Sequence, residues 1–465
     1  RPSQSLAQYV SSGANPKGIL FIMKDKNPLL LNPDPMDRMA DGTIKQRNPL
    51  TGTQVWTVTS RGKRPHSHRR VLLDRPRLLL PSEFTNACAF CADRYFDTPP
   101  EKSRLVKGLD SKFHIIEGLP AASMHDMVAE FRRIPNLFEI VSYDYWHENH
   151  NHYPTEAQNR RMADYLASAE GYDHVLHVVK MRLEASGEDH LETIPDDALL
   201  QYANGLFAGG HDVIVARRHY VDGATRTDQN ASAGTLSVAE HRAYIGYTIA
   251  ALKDLYNLNP AVKYVTAFQN WLKPAGASFD HLHKQLVAVD EYGVQIEAEA
   301  ARVAANPAIY RQILHYVGHR QMMILGNDYA VGFADFGHRY QTIAVWPLGP
   351  ALLPWEYTRE QVDGISDVLH ALHCAVGPAV PTNEEWYHRP VDLDVPMRFR
   401  ILLKQRTSTL AGFEGSTRIY LNSVDPWTLR DEMVELLEKK REQGLIAPSL
   451  RLGNEYRLPK NPLGE

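Results

Sequence analysis

Two short constellations in this sequence combine residue types and spacings that can do chemistry. The first is Gly276-Ala277-Ser278-Phe279-Asp280-His281-Leu282-His283-Lys284-Gln285, with Asn270 a short distance upstream. If His281 to Val289 is a strand, its period of two places His281, His283 and Gln285 on one face. Two imidazoles and an amide beside a loop of small residues can hold and attack a phosphoryl group. The same triplet would also serve as an ordinary polar strand face turned to solvent. The second constellation is Cys88-Ala89-Phe90-Cys91, which uses two of only three cysteines in the chain. A C-x-x-C pair in a cysteine-poor sequence favours a metal or redox role over a disulfide framework. A basic run from Arg61 to Arg70 is a candidate phosphate contact.

These groups need a scaffold, and the chain is long enough to build one. At 465 residues, with 43% hydrophobic and 23% charged residues, it has the composition of a globular protein rather than a disordered or disulfide-stapled one. A formal net charge of -4 leaves no global basic footprint for nucleic acid. No run approaches the roughly 18 apolar residues of a membrane span, and the polar start lacks the features of a secretory signal. The expectation is a cytoplasmic protein with neither nucleic-acid nor membrane partners.

The positioning elements are legible in outline. Residues 1–45 show no sustained periodicity and read as an irregular extension. Thr53 to Thr59 alternates and follows the turn Asn48-Pro49-Leu50-Thr51-Gly52, so it reads as a strand. Phe138 to Tyr143 reads as a second strand. Thr155 to Leu183 suits two helices separated near Gly171. Asp212 to Ala216 is strand-like, and Asp222 to Gly234 is a polar loop. Ser237-Val238-Ala239-Glu240 is a capping box that opens a helix carrying Ile245, Ile249, Leu252 and Leu255 on one face. Strands are expected at Val262 to Phe268, Gln341 to Trp346 and Met397 to Lys404. Helices are expected around Val362 to Leu372 and from Asp425-Pro426, where Pro occupies the first helical position. The order of strand, helix and strand thus recurs, which suggests two related halves joined near residue 300.

The segment around His283 resembles the active-site signature of the galactose-1-phosphate uridylyltransferase family, a nucleotidyltransferase branch of the histidine-triad superfamily with the motif His-Pro-His-x-Gln. Asn270 and Gly276-Ala277-Ser278 stand at the family's distances, and Leu282 replaces its Pro. Other blocks agree in order. Asn48 to Gly52 with Arg61-Gly62-Lys63-Arg64-Pro65 is similar to the family's opening. Cys88 to Cys91 is similar to its zinc knuckle. Val141 to His147 is similar to the strand ending in a zinc histidine, and Ala411-Gly412-Phe413-Glu414 to a segment near the sugar.

The resemblance implies an α+β fold of two histidine-triad-like halves, each an antiparallel sheet with packed helices. The halves would span 46–300 and 301–465, with a helical insertion at about 153–235 in the first. It implies one structural zinc held by Cys88, Cys91, His147 and His281, with His150 and His152 as rivals to His147. His283 would be the nucleophile, Gln285 and Ser278 donors to the phosphoryl oxygens, and Arg64, Asn270, Gly276, Glu414 and Asn422 substrate contacts. The family's second metal site falls on Arg398-Phe399-Arg400, so a second metal is not expected. Gln285 cannot titrate where a hydrolase carries a third histidine, which favours transfer over hydrolysis.

The implied reaction moves a nucleoside monophosphate, UMP in the family, from a nucleotide sugar to a sugar 1-phosphate in galactose metabolism. A homodimer is the family's assembly. Two other readings stay open: a nucleotide phosphorylase of the ADP-glucose or diadenosine tetraphosphate type, and a noncatalytic nucleotide-binding regulatory protein.

Overall fold

The computed structural model describes residues 30–58 and 76–464. Near the start, β1 (Met36–Arg38), β2 (Ile44–Arg47) and β3 (Gln54–Thr57) form an antiparallel meander. The stretch up to residue 45 is therefore not wholly irregular. Its regular part is two short strands, too brief to show a period.

The first half contributes β4 (Ser103–Lys107), β5 (Phe113–Glu117), β6 (Phe131–Pro135), β7 (His211–Ala216), β8 (Tyr264–Trp271) and β9 (His283–Val289). The second contributes β10 (Met323–Gly326), β11 (Ala330–Asp335), β12 (Gln341–Pro347), β13 (Thr382–Tyr387), β14 (Arg400–Gln405) and β16 (Arg451–Leu452). Between the last two, β15 (Ile419–Asn422) leaves to pair in parallel with β3. The two halves do not form separate sheets. They join in one twelve-stranded sheet of order β16-β10-β11-β12-β14-β13-β8-β9-β7-β6-β4-β5. The junction is the antiparallel pair β8 and β13, with Phe268 opposite Glu385 and Asn270 opposite Asn383. Strand order outward from this junction is the same on both sides, with β8, β9, β7 and β6 answering to β13, β14, β12 and β11. The α+β class and the two-half architecture read from the sequence are those of the structure.

The helices divide between the two faces. α1 (Tyr143–His150), α2 (Glu156–Leu166) and α3 (Ala169–Ala185) belong to the first half. Phe138 to Tyr143 is not a strand: Ser142 caps α1, and Phe138 and Ile140 are 60% and 68% exposed. The strand lies earlier, at β6. The break between α2 and α3 falls at Ala167 and Ser168, not at Gly171, which lies inside α3. There a Cβ would come within 1.8 Å of the Tyr165 carbonyl oxygen, so glycine is what lets the two helices meet this closely. Of residues 153–235, the α-helical part ends at Ala208, and β7 within that stretch is an inner strand of the sheet.

α4 (Val238–Leu255) opens at the capping box of Ser237 and Glu240. α5 (Val294–Ala305) and α6 (Ile309–His319) cover part of the second half. α7 (Arg359–Val376) packs against α4, and their apolar sides share one core cluster with β8, β9, β11 and β12. α8 (Pro426–Glu442) closes that core. No described helix is long and apolar enough to cross a membrane.

The face under α4 and α7 also carries a buried ion pair that spans the junction. Lys284 and Glu384 are both fully buried, with Nζ 2.6 Å from Oε1. Glu384 also accepts from Trp386 Nε1 at 2.6 Å and lies 2.8 Å from His373 Nε2. Lys284 sits over the rings of Tyr244 and Trp386. Burial alone would raise the Glu384 carboxyl, but Lys284 and His373 outweigh it and hold it well below the usual range. Removing one member leaves the other charged and buried. Lys284→Met is therefore expected to cost about 3–5 kcal/mol in urea unfolding, and Lys284→Met/Glu384→Gln less than the sum of its single changes. A single variant as stable as the parent would show that the pair does not clamp the halves.

Candidate active site and metal centre

β9 begins at His283, two residues later than the sequence pattern suggests. His281 lies just before it, with its Nε2 donating to the Ala216 carbonyl at 2.7 Å. That bond leaves Nδ1 bare, and Nδ1 is directed at two thiols. Cys88 Sγ lies 3.5 Å and Cys91 Sγ 3.8 Å from it, and the sulfurs are 3.8 Å apart. The fourth member is His219, whose Nδ1 is 3.4 and 3.5 Å from the two sulfurs. All four residues are buried.

This donor set fits a tetrahedral ion. Bonds of about 2.3 Å to sulfur and 2.0–2.1 Å to nitrogen give edges of roughly 3.8 Å between sulfurs and 3.5–3.6 Å between sulfur and nitrogen. The observed separations match, so the cluster could hold a metal ion such as zinc. Two thiolates and two imidazoles fill every position of such a site, which makes it structural. Between the bare thiols, the hydrogen bond from Cys88 pulls Cys91 down, and the same bond with burial pushes Cys88 up.

His219, not His147, completes the cluster. His147 lies on α1, where its Nδ1 is 2.8 Å from the His152 carbonyl and its ring stacks on Tyr143. His150 meets Asp290 at 2.8 Å, and buried His152 meets the Ala208 carbonyl at 2.9 Å. The signal for His219 is pairing. β7 runs antiparallel to β9 with Val215 opposite His283, so the residues after β7 fold back beside His281. Only that register links positions 219 and 281.

His283 is buried, and its Nδ1 lies 2.7 Å from the His281 carbonyl oxygen. A carbonyl only accepts, so Nδ1 carries the proton and Nε2 keeps its lone pair. Burial pushes the imidazole down to about 4. Phe90, from within the C-x-x-C turn, packs against the His283 ring at 5.2 Å and against Phe279. The metal knuckle and the imidazole thus share one wall.

Gln285 is on the same sheet face. His211 was not singled out in the sequence, but its Nδ1 accepts from the Ile140 amide at 3.1 Å, so its Nε2 donates to Gln285 Oε1 at 3.0 Å. The Asn136 amide approaches the same oxygen at 3.4 Å. With its oxygen occupied, Gln285 is left with its NH2 group to offer. Asn270 Oδ1 accepts from Asn383 at 2.7 Å. Gly276 holds φ +90° beside Asn270, a conformation that favours glycine. Ser278 is exposed in the loop between β8 and β9.

The remaining candidates lie apart. Glu414 is buried, and its two oxygens accept from the backbone amides of Ala411 and Leu421. Asn422 accepts from Ser423 N at 2.9 Å. Arg398 donates to the carbonyls of Gly349 and Leu463, and Arg400 pairs with buried Glu299. Arg64 and the basic run of 61–70 lie outside the described residues. Two cavities of about 560 and 510 Å³ are lined by none of the residues around His283.

A family model described as "Domain of unknown function (DUF4921)" matches residues 39–464. The chain belongs to the DUF4921 family. No curated protein matches it. Among solved structures, this DUF4921 chain shares its fold with an ADP-glucose phosphorylase from Arabidopsis thaliana solved with bound ADP-glucose. The TM-score is 0.54 and the identity 16%, over 84% of this chain and 97% of that one. An Arabidopsis thaliana protein described as galt-like gives 0.49 at 15% identity over the same shares. A uridylyltransferase gives 0.42 at 16%, over 49% of this chain and 75% of that one. The likeness to the ADP-glucose phosphorylase is one of fold.

Metal analysis of purified variants checks the ligand set. Cys88→Ser and His219→Ala are expected to lose the bound ion and to melt at lower temperature, whereas His147→Ala should retain it at about one per chain. Retention by His219→Ala together with loss by His147→Ala would reverse the assignment.

Proposed function

We propose that this chain is a nucleotidyltransferase that passes a nucleoside monophosphate from a nucleotide sugar to a phosphate-bearing acceptor, with His283 as the covalent carrier. The observation that carries the reading is the 2.7 Å bond from His283 Nδ1 to the His281 carbonyl. It leaves Nε2 as a neutral nucleophile whose orientation the backbone fixes. In the first step Nε2 bonds to the α-phosphorus, the bond from that phosphorus to the bridging oxygen breaks, and a sugar 1-phosphate departs. In the second, an acceptor phosphate oxygen attacks the same phosphorus and the P–N bond breaks.

The Gln285 amide, its oxygen held by His211, is placed to donate to phosphoryl oxygens, where charge must be stabilised. Ser278 would add a second donor from the loop. The four-ligand metal site, which we assign to zinc, pins His281 and with it the carbonyl that sets the His283 tautomer. Because Gln285 cannot shuttle a proton to water, the intermediate would persist until an acceptor arrives.

The galactose-1-phosphate uridylyltransferase resemblance favours UMP and a hexose 1-phosphate. The ADP-glucose phosphorylase of the same fold, solved with bound ADP-glucose, favours a second reading in which AMP passes to inorganic phosphate. Intact-protein mass spectrometry after incubation with UDP-glucose, and separately with ADP-glucose, distinguishes them. A uridylyl or adenylyl adduct is expected in the parent and absent from His283→Ala. No adduct from either donor would leave a nucleotide-binding protein without turnover as the better account. Gln285→His is expected to shorten the lifetime of the adduct and raise hydrolysis of the nucleotide sugar; an unchanged lifetime would remove Gln285 from the argument for transfer.

A further inference from the structure

The edge of the sheet far from His283 is built around β10. In the strand order β10 stands six steps from β9, roughly 29 Å at about 4.8 Å per strand. Here α6, α8 and the segment after β16 enclose a cavity of about 560 Å³. That lies inside the roughly 300–1,000 Å³ of small-molecule sites. None of the chemistry assigned to His283 uses it.

Its walls are cationic. Arg311, His315 and His319 recur every four residues along one face of α6, over about 12 Å at the helical rise. α8 adds Arg430, and the segment after β16 adds Arg457 and Lys460. Among the described residues no Asp or Glu lines the cavity. Arg430 Nη1 reaches Asp431 at 2.6 Å, but Arg457 and Lys460 have no carboxylate partner among the described residues. Glu455, the acid nearest them in the chain, accepts instead from Arg441 at 2.7 Å and from the Leu452 amide.

The fold builds these walls without a ligand. Arg430 Nε donates to the Met323 carbonyl at 3.1 Å and Nη2 to Asn454 Oδ1 at 2.9 Å. Gly453 permits that approach, because its φ is +49° and a Cβ there would stand 3.2 Å from Arg430 Nη2. Tyr456 packs across Gly326, where a Cβ would come within 2.4 Å of the ring. At the far end the buried Leu463 accepts from Arg398 through its carbonyl, so Arg457 and Lys460 belong to a loop fixed at both ends. Tyr456 also lines the cavity, is 4% exposed, and has a buried hydroxyl with no hydrogen-bond partner. Burial pushes that phenol up to about 12, so it stays a donor. A buried donor without a partner is costly unless a ligand meets it.

We propose that this cavity binds a polyphosphate, an anion of two or more linked phosphates, at a site separate from that around His283. A single phosphate meets only the groups nearest to it. Cations on three elements, spread along two turns of one helix, match a chain of charges instead. Arginine forks pair with phosphate oxygens through parallel bonds, imidazoles donate in either protonation state, and Tyr456 supplies a neutral donor. This goes beyond the nucleotidyltransferase reading and stands without it.

Calorimetric titration of the full chain with tripolyphosphate, orthophosphate and ATP, in magnesium-free buffer, tests it. Tripolyphosphate is expected to bind about tenfold or more tightly than orthophosphate. Arg457→Gln/Lys460→Gln, at two exposed positions, should weaken it by about tenfold or more, the scale of one charge-assisted hydrogen bond. Tyr456→Phe keeps the ring and should weaken it by about threefold to tenfold, the scale of a neutral one. Lys107→Gln/Lys112→Gln removes the same charge from exposed positions at the β4–β5 edge of the sheet, and should leave binding unchanged, as should His283→Ala. No binding to the parent, orthophosphate as tight as tripolyphosphate, or equal weakening by the two double variants would overturn the proposal. Loss of binding in His283→Ala would also overturn it, by placing the anion at that histidine. ATP tighter than tripolyphosphate, with the same dependence on Arg457 and Lys460, sustains it with a nucleoside polyphosphate as the ligand. ATP no tighter sustains it with the phosphate chain alone recognised.

Discussion

The alternation of side chains along one uninterrupted antiparallel sheet is the constraint on which the rest of this protein depends. On β9, His283 and Gln285 point to one face, while Lys284 and Leu286 point into the core beneath α4 and α7. A slip of one residue in register would exchange these sets, placing a lysine in the reactive position and an imidazole in the core. The fully buried Lys284–Glu384 pair opposes that slip, because an unpaired buried charge is far more costly than a displaced apolar side chain. The residue that anchors the strand and the residue that would do chemistry are neighbours for this reason.

A second restraint acts at the other end of the same strand. His281 is fixed between the Ala216 carbonyl and the two thiols, and its own carbonyl then fixes the tautomer of His283. Cys88 and Cys91 also position Phe90 against the His283 ring. An ion bound by all four residues would have no open position for chemistry of its own. It would tie down the short segment between β8 and β9, adding to the bond from His281 to the Ala216 carbonyl.

The pairing of β8 with β13 has a consequence beyond stability. It makes the faces of the two halves continuous, so polar residues of the second half extend a row that starts at His283. The second half does not repeat the histidines of the first. Arg400 occupies the start of β14 as His283 occupies that of β9, and Glu299 neutralises it.

Local pattern was enough for much of this. The capping box at Ser237, the Pro at the start of α8, the alternation around β3, the β-forming run at β12, and the His-x-His-x-Gln and C-x-x-C spacings are all properties of a few consecutive residues. Each was readable because backbone geometry couples neighbours at fixed periods. The sequence misled where two local signals competed, as at Phe138 to Tyr143, whose β formers lie in an irregular stretch that ends in a helix cap at Ser142. It was silent on partners distant in the chain. His219 joins Cys88 and His281 only through the register of β7 on β9. His211 meets Gln285 by the same pairing, and Glu414 accepts from backbone amides that only the folded turn brings to it. Contacts of this kind depend on which strands pair and in what register, a choice made by burial over the whole sheet rather than by any segment of it.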